Sequence, residues 1–152
     1  MASLLGIVFA ALLVSTPADD AATRREVQAT VEGFLSDLGG MRVEKLPGYF
    51  ARQAVMVVVR KTPQGFSNSF QTVEEWLARV RSNPNPQPFE EPLANVQVTI
   101  DSGHLAYLRA DFKVIREGKI LSSGVDQFTL VKEQEGWKIA AAAYTSIPAE
   151  KP

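Results

Sequence analysis

The sequence predicts an α+β domain, and three observations carry that prediction. Apolar residues recur at helical spacing only in the first half of the chain. From about residue 94 onward the pattern is one of long β-type runs. Short turns containing glycine separate those runs, as an antiparallel meander requires. The 152 residues are 45% hydrophobic and 22% charged, which suits one globular domain with its own core.

The first stretch, MASLLGIVFAALLVSTPADDAA, is expected to be an export signal rather than part of the fold. Its apolar run from Leu4 to Val14 is too short to span a bilayer and suits the hydrophobic region of a secretory signal. Thr16 and Ala18 have the small side chains of a cleavage site, so cleavage is expected after Ala18. The expected organisation is therefore a signal at 1–18, a linker at 19–22, the domain at 23–147 and a tail at 148–152. A periplasmic or secreted, soluble protein with no stable membrane insertion follows. The chain has no cysteine, and a core of this size needs no disulfide.

Thr23 to Leu38 reads as a helix, with Val27, Val31, Phe34, Leu35 and Leu38 on one face, Thr23 and Glu26 as a capping box, and Gly39 as the stop. A short helix interrupted by Pro47 and Gly48 follows. The run AVMVVVRK is apolar at both parities and predicts a strand covered on both sides, turning at TPQG into a short strand around Phe66 to Phe70. Thr72 and Glu75 form a second capping box, opening a helix with Val73, Trp76, Leu77 and Val80 on its apolar face. SNPNPQPFEEP, residues 82–92, is too proline-rich for regular structure and is expected to cross the surface. Strands are then predicted over Ala94–Ile100, His104–Ile115, Lys119–Lys132 and Trp137–Thr145.

The turns predict which residues face inward. DSG at 101–103 and REG at 116–118 read as three-residue loops ending in a left-handed glycine, pairing Ile100 with His104 and Ile115 with Lys119. The second of these puts Leu108 opposite Asp126. A four-residue EQEG loop pairs Lys132 with Trp137 and Phe128 with Ala141. The three registers agree on one inner face: Val96, Val98, Ala106, Leu108, Ala110, Phe112, Phe128, Leu130, Trp137, Ile139 and Ala141. The opposite parity (Tyr107, Val125, Thr129, Val131, Ala140, Ala142, Tyr144) is more apolar than a solvated face and predicts a homodimer through the outer sheet, with Tyr107, Val125, Val131 and Tyr144 in the contact.

This order of elements, together with the ending FTLVKEQEGWKIAAAAYTS, resembles the nuclear transport factor 2-like superfamily, particularly its SnoaL-like and DUF4440-type bacterial members, over about residues 23–147. The resemblance implies a cone: a curved antiparallel sheet wrapped around three helices, enclosing a pocket. It also implies dimerisation through the outer sheet. Members with isomerase activity use a pocket acid to move a proton beside a carbonyl. Many members carry an acidic residue just before the first strand, where this chain has Arg52 and Gln53.

Asp126 is the candidate of most interest, since it shares the face of Phe128 and Leu130. With a three-residue loop at REG it faces inward among small residues and serves as a general base or as a ligand anchor. With a two-residue loop it pairs instead with Arg109 as a half-exposed ion pair. Tyr49, beside a Pro-Gly break, is the candidate donor to accompany it. Tyr49, Phe50, Phe70, Trp76, Leu108, Phe112, Asp126, Phe128 and Trp137 are the candidate ligand-binding residues; the aromatic ones equally suit plain core. His104 is the one histidine and reads as a rim residue, so no metal site is expected, nor any cofactor. A net charge of −1 with no basic cluster argues against nucleic acid as a partner. Three readings of function stand. The first is an exported, non-catalytic domain binding a small apolar or amphipathic molecule. The second is an isomerase, dehydratase or cyclase with Asp126 as base. The third is a dimeric interaction module with a filled core.

Overall fold

A computed structural model describes residues 17–150, with side chains from Asp20 onward. The predicted signal segment before Pro17 and the last two residues of the predicted tail lie outside the described residues. Helix α1 spans Pro17–Gly39 and a 3-10 helix spans Val43–Tyr49. Strands β1 (Phe50–Thr62) and β2 (Gly65–Thr72) form a hairpin, followed by α2 (Val73–Arg81). Then come β3 (Leu93–Asp101), β4 (Leu105–Arg116), β5 (Lys119–Glu133) and β6 (Gly136–Pro148). The six strands make one open, curved sheet in the order β2-β1-β6-β5-β4-β3.

The expected all-antiparallel sheet is corrected at one joint: β1 pairs with β6 in parallel. A parallel neighbour needs a long connection. Here everything from β2 to β5 lies between the two strands in the chain, so β1 is free to lie alongside β6 in the same direction. The start of α1 is also corrected. The helix continues through Thr23 back to Pro17, because Ala18, Ala21 and Ala22 are strong helix formers. Glu26 therefore closes no capping box there and instead meets Lys132 of β5 at 3.1 Å. The box predicted for α2 forms as written: Thr72 Oγ1 accepts from the Glu75 amide at 3.2 Å, and the Thr72 amide donates to Glu75 Oε2 at 2.9 Å.

α1 lies in the concavity of the sheet. Val27, Val31, Phe34 and Leu35 bury their face against Leu108, Leu130 and Ile139, each removing side-chain surface from water worth about 1.5–3 kcal/mol. Phe34 is the hub of an aromatic cluster, with Phe50 at 5.2 Å, Trp76 at 6.0 Å and Phe128 at 6.2 Å between centroids.

Each hairpin differs in detail from its predicted register, and two of the differences decide the site. In the first, the loop lies one residue later, over 102–104, so Ile100 pairs with Ala106 and Val98 with Leu108. Partners move by two and the inward face is unchanged. In the second, Glu117 and Gly118 make a two-residue loop, both with positive φ (50° and 73°), the geometry that matches strand twist. Alone it would turn Asp126 toward Arg109. A β-bulge at Leu121 inserts one residue and restores parity, so Ala110 faces Asp126 and Arg109 faces Gln127. In the third, the register Lys132–Trp137 and Leu130–Ile139 holds, then a bulge at Ala140 reverses the faces. Ala142 and Tyr144 point inward, whereas Ala141, predicted inside, points outward together with Ala143.

The outer face of β1 is apolar, as its sequence requires, yet not covered: Val55 is 44% exposed, beside outward Ala141. Gly124 marks the tightest point of the sheet. A Cβ there would meet the Thr145 carbonyl oxygen and lie 2.9 Å from the Phe112 ring. Gly124→Ala is expected to lower stability by about 1–3 kcal/mol, since backbone has to move. Chemical denaturation of the two proteins checks this, and an unchanged midpoint would contradict the close approach.

Candidate functional site

Inside the wide end of the cone lies a chamber of about 210 Å³. Its walls come from every layer: Phe34, Leu35 and Leu38 of α1, Trp76 of α2, Met56 of β1, Phe112 and Val114 of β4, Phe128 of β5, and Phe89 from the proline-rich segment. Its polar groups are few: Arg60, Glu91, Ser122, Asp126, Tyr144 and Ser146. A mostly apolar cavity with a few convergent polar groups is the usual form of a small-molecule site.

Asp126 is the deepest of these, 3% exposed, with Ala110 on one side and Tyr144 on the other. No N–H or hydroxyl donor reaches its Oδ2. Its polar neighbour is a second carboxyl, Glu91. Two carboxyls in contact can hydrogen-bond only if one of them keeps its proton. Burial, then the charge of Asp126 and the hydrogen bond to it, push Glu91 up to about 8. Burial likewise pushes Asp126 up to about 7, with the hydrogen bond from Glu91 pulling the other way. The pair thus titrates as a unit, with one proton held through neutrality. Tyr144 stands over them. Burial raises its phenol, and the charges of Arg60 and Arg79 on one side oppose those of Glu91 and Asp126 on the other. It stays a hydroxyl donor at neutral pH.

Glu91 reaches the chamber because the backbone just before it is pinned at two successive residues. The Phe89 amide donates to the Gly39 carbonyl at 3.0 Å, at the end of α1. Glu90 exchanges two 2.8 Å hydrogen bonds with Ile115 of β4. A Cβ at position 39 would collide with the Phe89 carbonyl oxygen, so glycine permits this approach. The segment predicted to run entirely over the surface does so only to residue 88, and Phe89 and Glu91 then turn inward.

Of the predicted ligand-binding residues, Trp76, Phe112, Asp126 and Phe128 line the chamber together. Leu108 and Trp137 are buried in the core behind it, and Phe50 packs on Phe34 and Trp76 without reaching it. Phe70 stands on the outer face, 75% exposed, because its strand partner is outward Val57. The predicted pairing of Tyr49 with Asp126 does not occur. The Tyr49 hydroxyl donates to Asp37 Oδ2 at 2.8 Å, in a cluster with Arg42 that ties the 3-10 helix to α1. Arg42 and then Tyr49 hold the Asp37 carboxyl below the usual range. His104 lies at a hairpin tip, its Nδ1 2.8 Å from the Ser102 carbonyl. Among the described residues no group of His, Cys, Asp and Glu is arranged to hold a metal ion, and no helix is long and apolar enough to cross a membrane.

The missed residues are Glu91, Tyr144 and Arg60. The Phe-Glu-Glu-Pro sequence was a usable signal, since an aromatic residue in a polar loop argues for an inward dip. The bulge that reverses Tyr144 has no signature in the repeated alanines around it.

The family model described as "Putative lumazine-binding" matches residues 22–145. The chain belongs to that family. This lumazine-binding-type domain has the fold of several solved structures, proteins described as nuclear transport factor 2-like among them. One is the beta subunit of "a putative aromatic-ring-hydroxylating dioxygenase" from Novosphingobium aromaticivorans, at 10% identity and TM-score 0.69, with 88% of this chain and 94% of that one covered. Another, from the same organism, is described as a "Putative Scytalone Dehydratase", at 13% identity and TM-score 0.65, covering 84% and 85%. A third, also from it, is an NTF2-like protein with a cystatin-like fold, at 15% identity and TM-score 0.63, covering 86% and 90%. These likenesses establish the fold. No curated protein matches the chain.

The carboxyl pair makes stability depend on pH with a definite sign. Both folded-state values lie above the unfolded ones, so the folded chain binds more protons between about pH 4 and about pH 8. Stability therefore falls as pH rises through that window, by about 1.4 kcal/mol per pH unit for each extra proton held. Asp126→Asn removes part of this slope and leaves the variant relatively more stable at pH 9 than at pH 5. Denaturation at the two pH values checks it, and equal slopes in the two proteins would contradict the burial of Asp126 against a second carboxyl.

Proposed function

We propose that this lumazine-binding-family protein is an exported domain that holds a small ring-containing molecule in the cone, without transforming it. The carrying observation is the unpartnered Asp126 Oδ2 beside Glu91, inside an aromatic chamber. A carboxyl pair sharing one proton, Asp126 buried and Glu91 half-buried, offers both a donor and an acceptor, and Tyr144 adds another hydroxyl. Such a set suits a neutral ligand edge that itself carries adjacent donors and acceptors, such as a cyclic amide or a phenol beside a carbonyl. The aromatic walls suit a flat ring. The family description, which names lumazine binding, supports a ligand of this kind.

One observation favours a second reading, proton transfer on the ligand. The shared proton sits near neutrality, and Tyr144 faces the same space, which together amount to an acid, a base and a donor. The structural likeness to a protein described as a dehydratase agrees with that chemistry but does not select it.

A homodimer through the outer sheet belongs to the first reading. Exposed Val55, Phe70 and Tyr107 support it, while Tyr144, turned inward, drops out of the contact.

Native mass spectrometry of the protein expressed with its own N-terminus and recovered from the exported fraction tests the proposal. The expected result is a chain beginning at Asp19, twice the subunit mass, and a non-covalent adduct of roughly a few hundred daltons. Asp126→Ala loses the adduct. A bare chain in both proteins contradicts ligand binding. If the identified adduct is converted by wild type and not by Asp126→Asn, the second reading replaces the first.

A further inference from the structure

The chamber opens outward into a wider mouth of about 740 Å³, and the two share Leu38, Arg60, Trp76, Phe89 and Tyr144. The charge of this mouth is one-sided. Arg60 of β1, Arg79 of α2 and Arg116 of β4 line it, and no Asp or Glu does. None of the described ion pairs uses any of the three. Arg116 Nε is buried and has no hydrogen-bond partner.

Gln71 gives an independent observation. Its side chain is on the inward face of β2, 8% exposed, and lines the same mouth. Arg79 donates to its Oε1, which fixes the orientation of the amide. Its Nε2 is left as a buried donor with no partner. Buried polar groups are nearly always satisfied, and the groups left over here are all donors. What would satisfy Gln71 Nε2 and the free guanidinium N–H groups together is an acceptor-only, negatively charged group.

We infer that Arg60, Arg79, Arg116 and Gln71 form an anion-reading collar, and that the ligand of the inner chamber carries a carboxylate, phosphate or sulfonate at its outer end. This rests on the small-molecule reading above and deepens it. The ligand is bipolar, with a neutral hydrogen-bonding edge against Asp126 and Glu91, a flat apolar body between the aromatic walls, and an anion at the mouth. The arrangement also excludes the reverse orientation, because an anion beside the carboxyl pair would be repelled.

Two fluorescent probes with one ring system test this: N-phenyl-1-naphthylamine, which is neutral, and 8-anilinonaphthalene-1-sulfonate, which adds only the anion. Titration of the full chain at neutral pH is expected to show the sulfonate bound about tenfold or more tightly than the neutral probe. Arg79→Gln with Arg116→Gln, both at the mouth and outside the chamber lining, removes that preference and leaves neutral-probe affinity within about twofold. Salt titration of the wild type should weaken the sulfonate selectively, a readout independent of how well the variants fold. Equal affinities for the two probes in wild type overturn the collar while leaving the chamber standing. So does a double variant that weakens both probes alike. Ser122→Trp fills the chamber and should abolish neutral-probe binding. Binding that survives it, or no binding of either probe by wild type, overturns the chamber reading and the collar with it.

Discussion

Two carboxyl groups held together among aromatic rings cannot both be charged, and most of the local structure of this domain follows from where they are placed. Asp126 comes from the middle of a long strand and Glu91 from the end of a proline-rich connection. Among the described residues no cation forms an ion pair with either. Arg109, the arginine on the strand facing Asp126, is turned outward, where it meets Asp111 at 2.7 Å. With that neutralising route closed, the pair retains a proton, and a buried group that both donates and accepts is the result.

The backbone devices that create this arrangement are single-residue events. Strand faces alternate with a period of two, so one inserted residue reverses everything beyond it. The bulge at Leu121 compensates for the tight Glu117-Gly118 turn and returns Asp126 to the inside. The bulge at Ala140 brings Tyr144 in and moves Ala141 and Ala143 out. The glycine at the end of α1 lets the Phe89 carbonyl come close enough to aim Glu91. Each device is local, while the chamber they build draws on α1, α2, β1, β4, β5 and β6 together.

These features explain how much the sequence disclosed. Elements bounded by strong local chemistry were legible: the Thr72–Glu75 capping box, the turns at Gly103, Gly118 and Gly136, and the inner-face run Ala106, Leu108, Ala110 and Phe112. The inward direction of Asp126 was legible too, although by a different turn and bulge from the loop expected. Features set by long-range pairing were not legible. The parallel β1–β6 joint leaves no mark on either strand's sequence. A bulge within Ala140–Ala143 is invisible because every residue there suits either face. Tyr49 failed as a donor because Asp37, one helical segment away, satisfies it first. Glu91 was hidden inside a segment whose prolines point to surface.

The resulting pocket has an electrical direction, with carboxyls at the floor, aromatic walls between and unpaired guanidinium groups at the mouth. That polarity depends on the floor remaining partly protonated. Carbon-13 NMR of the side-chain carboxyls of Asp126 and Glu91, followed from pH 4 to pH 9 in the full chain, tests this most directly. The account predicts two linked steps, both above the ordinary carboxylate range, with one carboxyl still protonated near neutrality. Independent titration of both groups at about pH 4 would contradict it, because it would mean that water or a cation already solvates the pair.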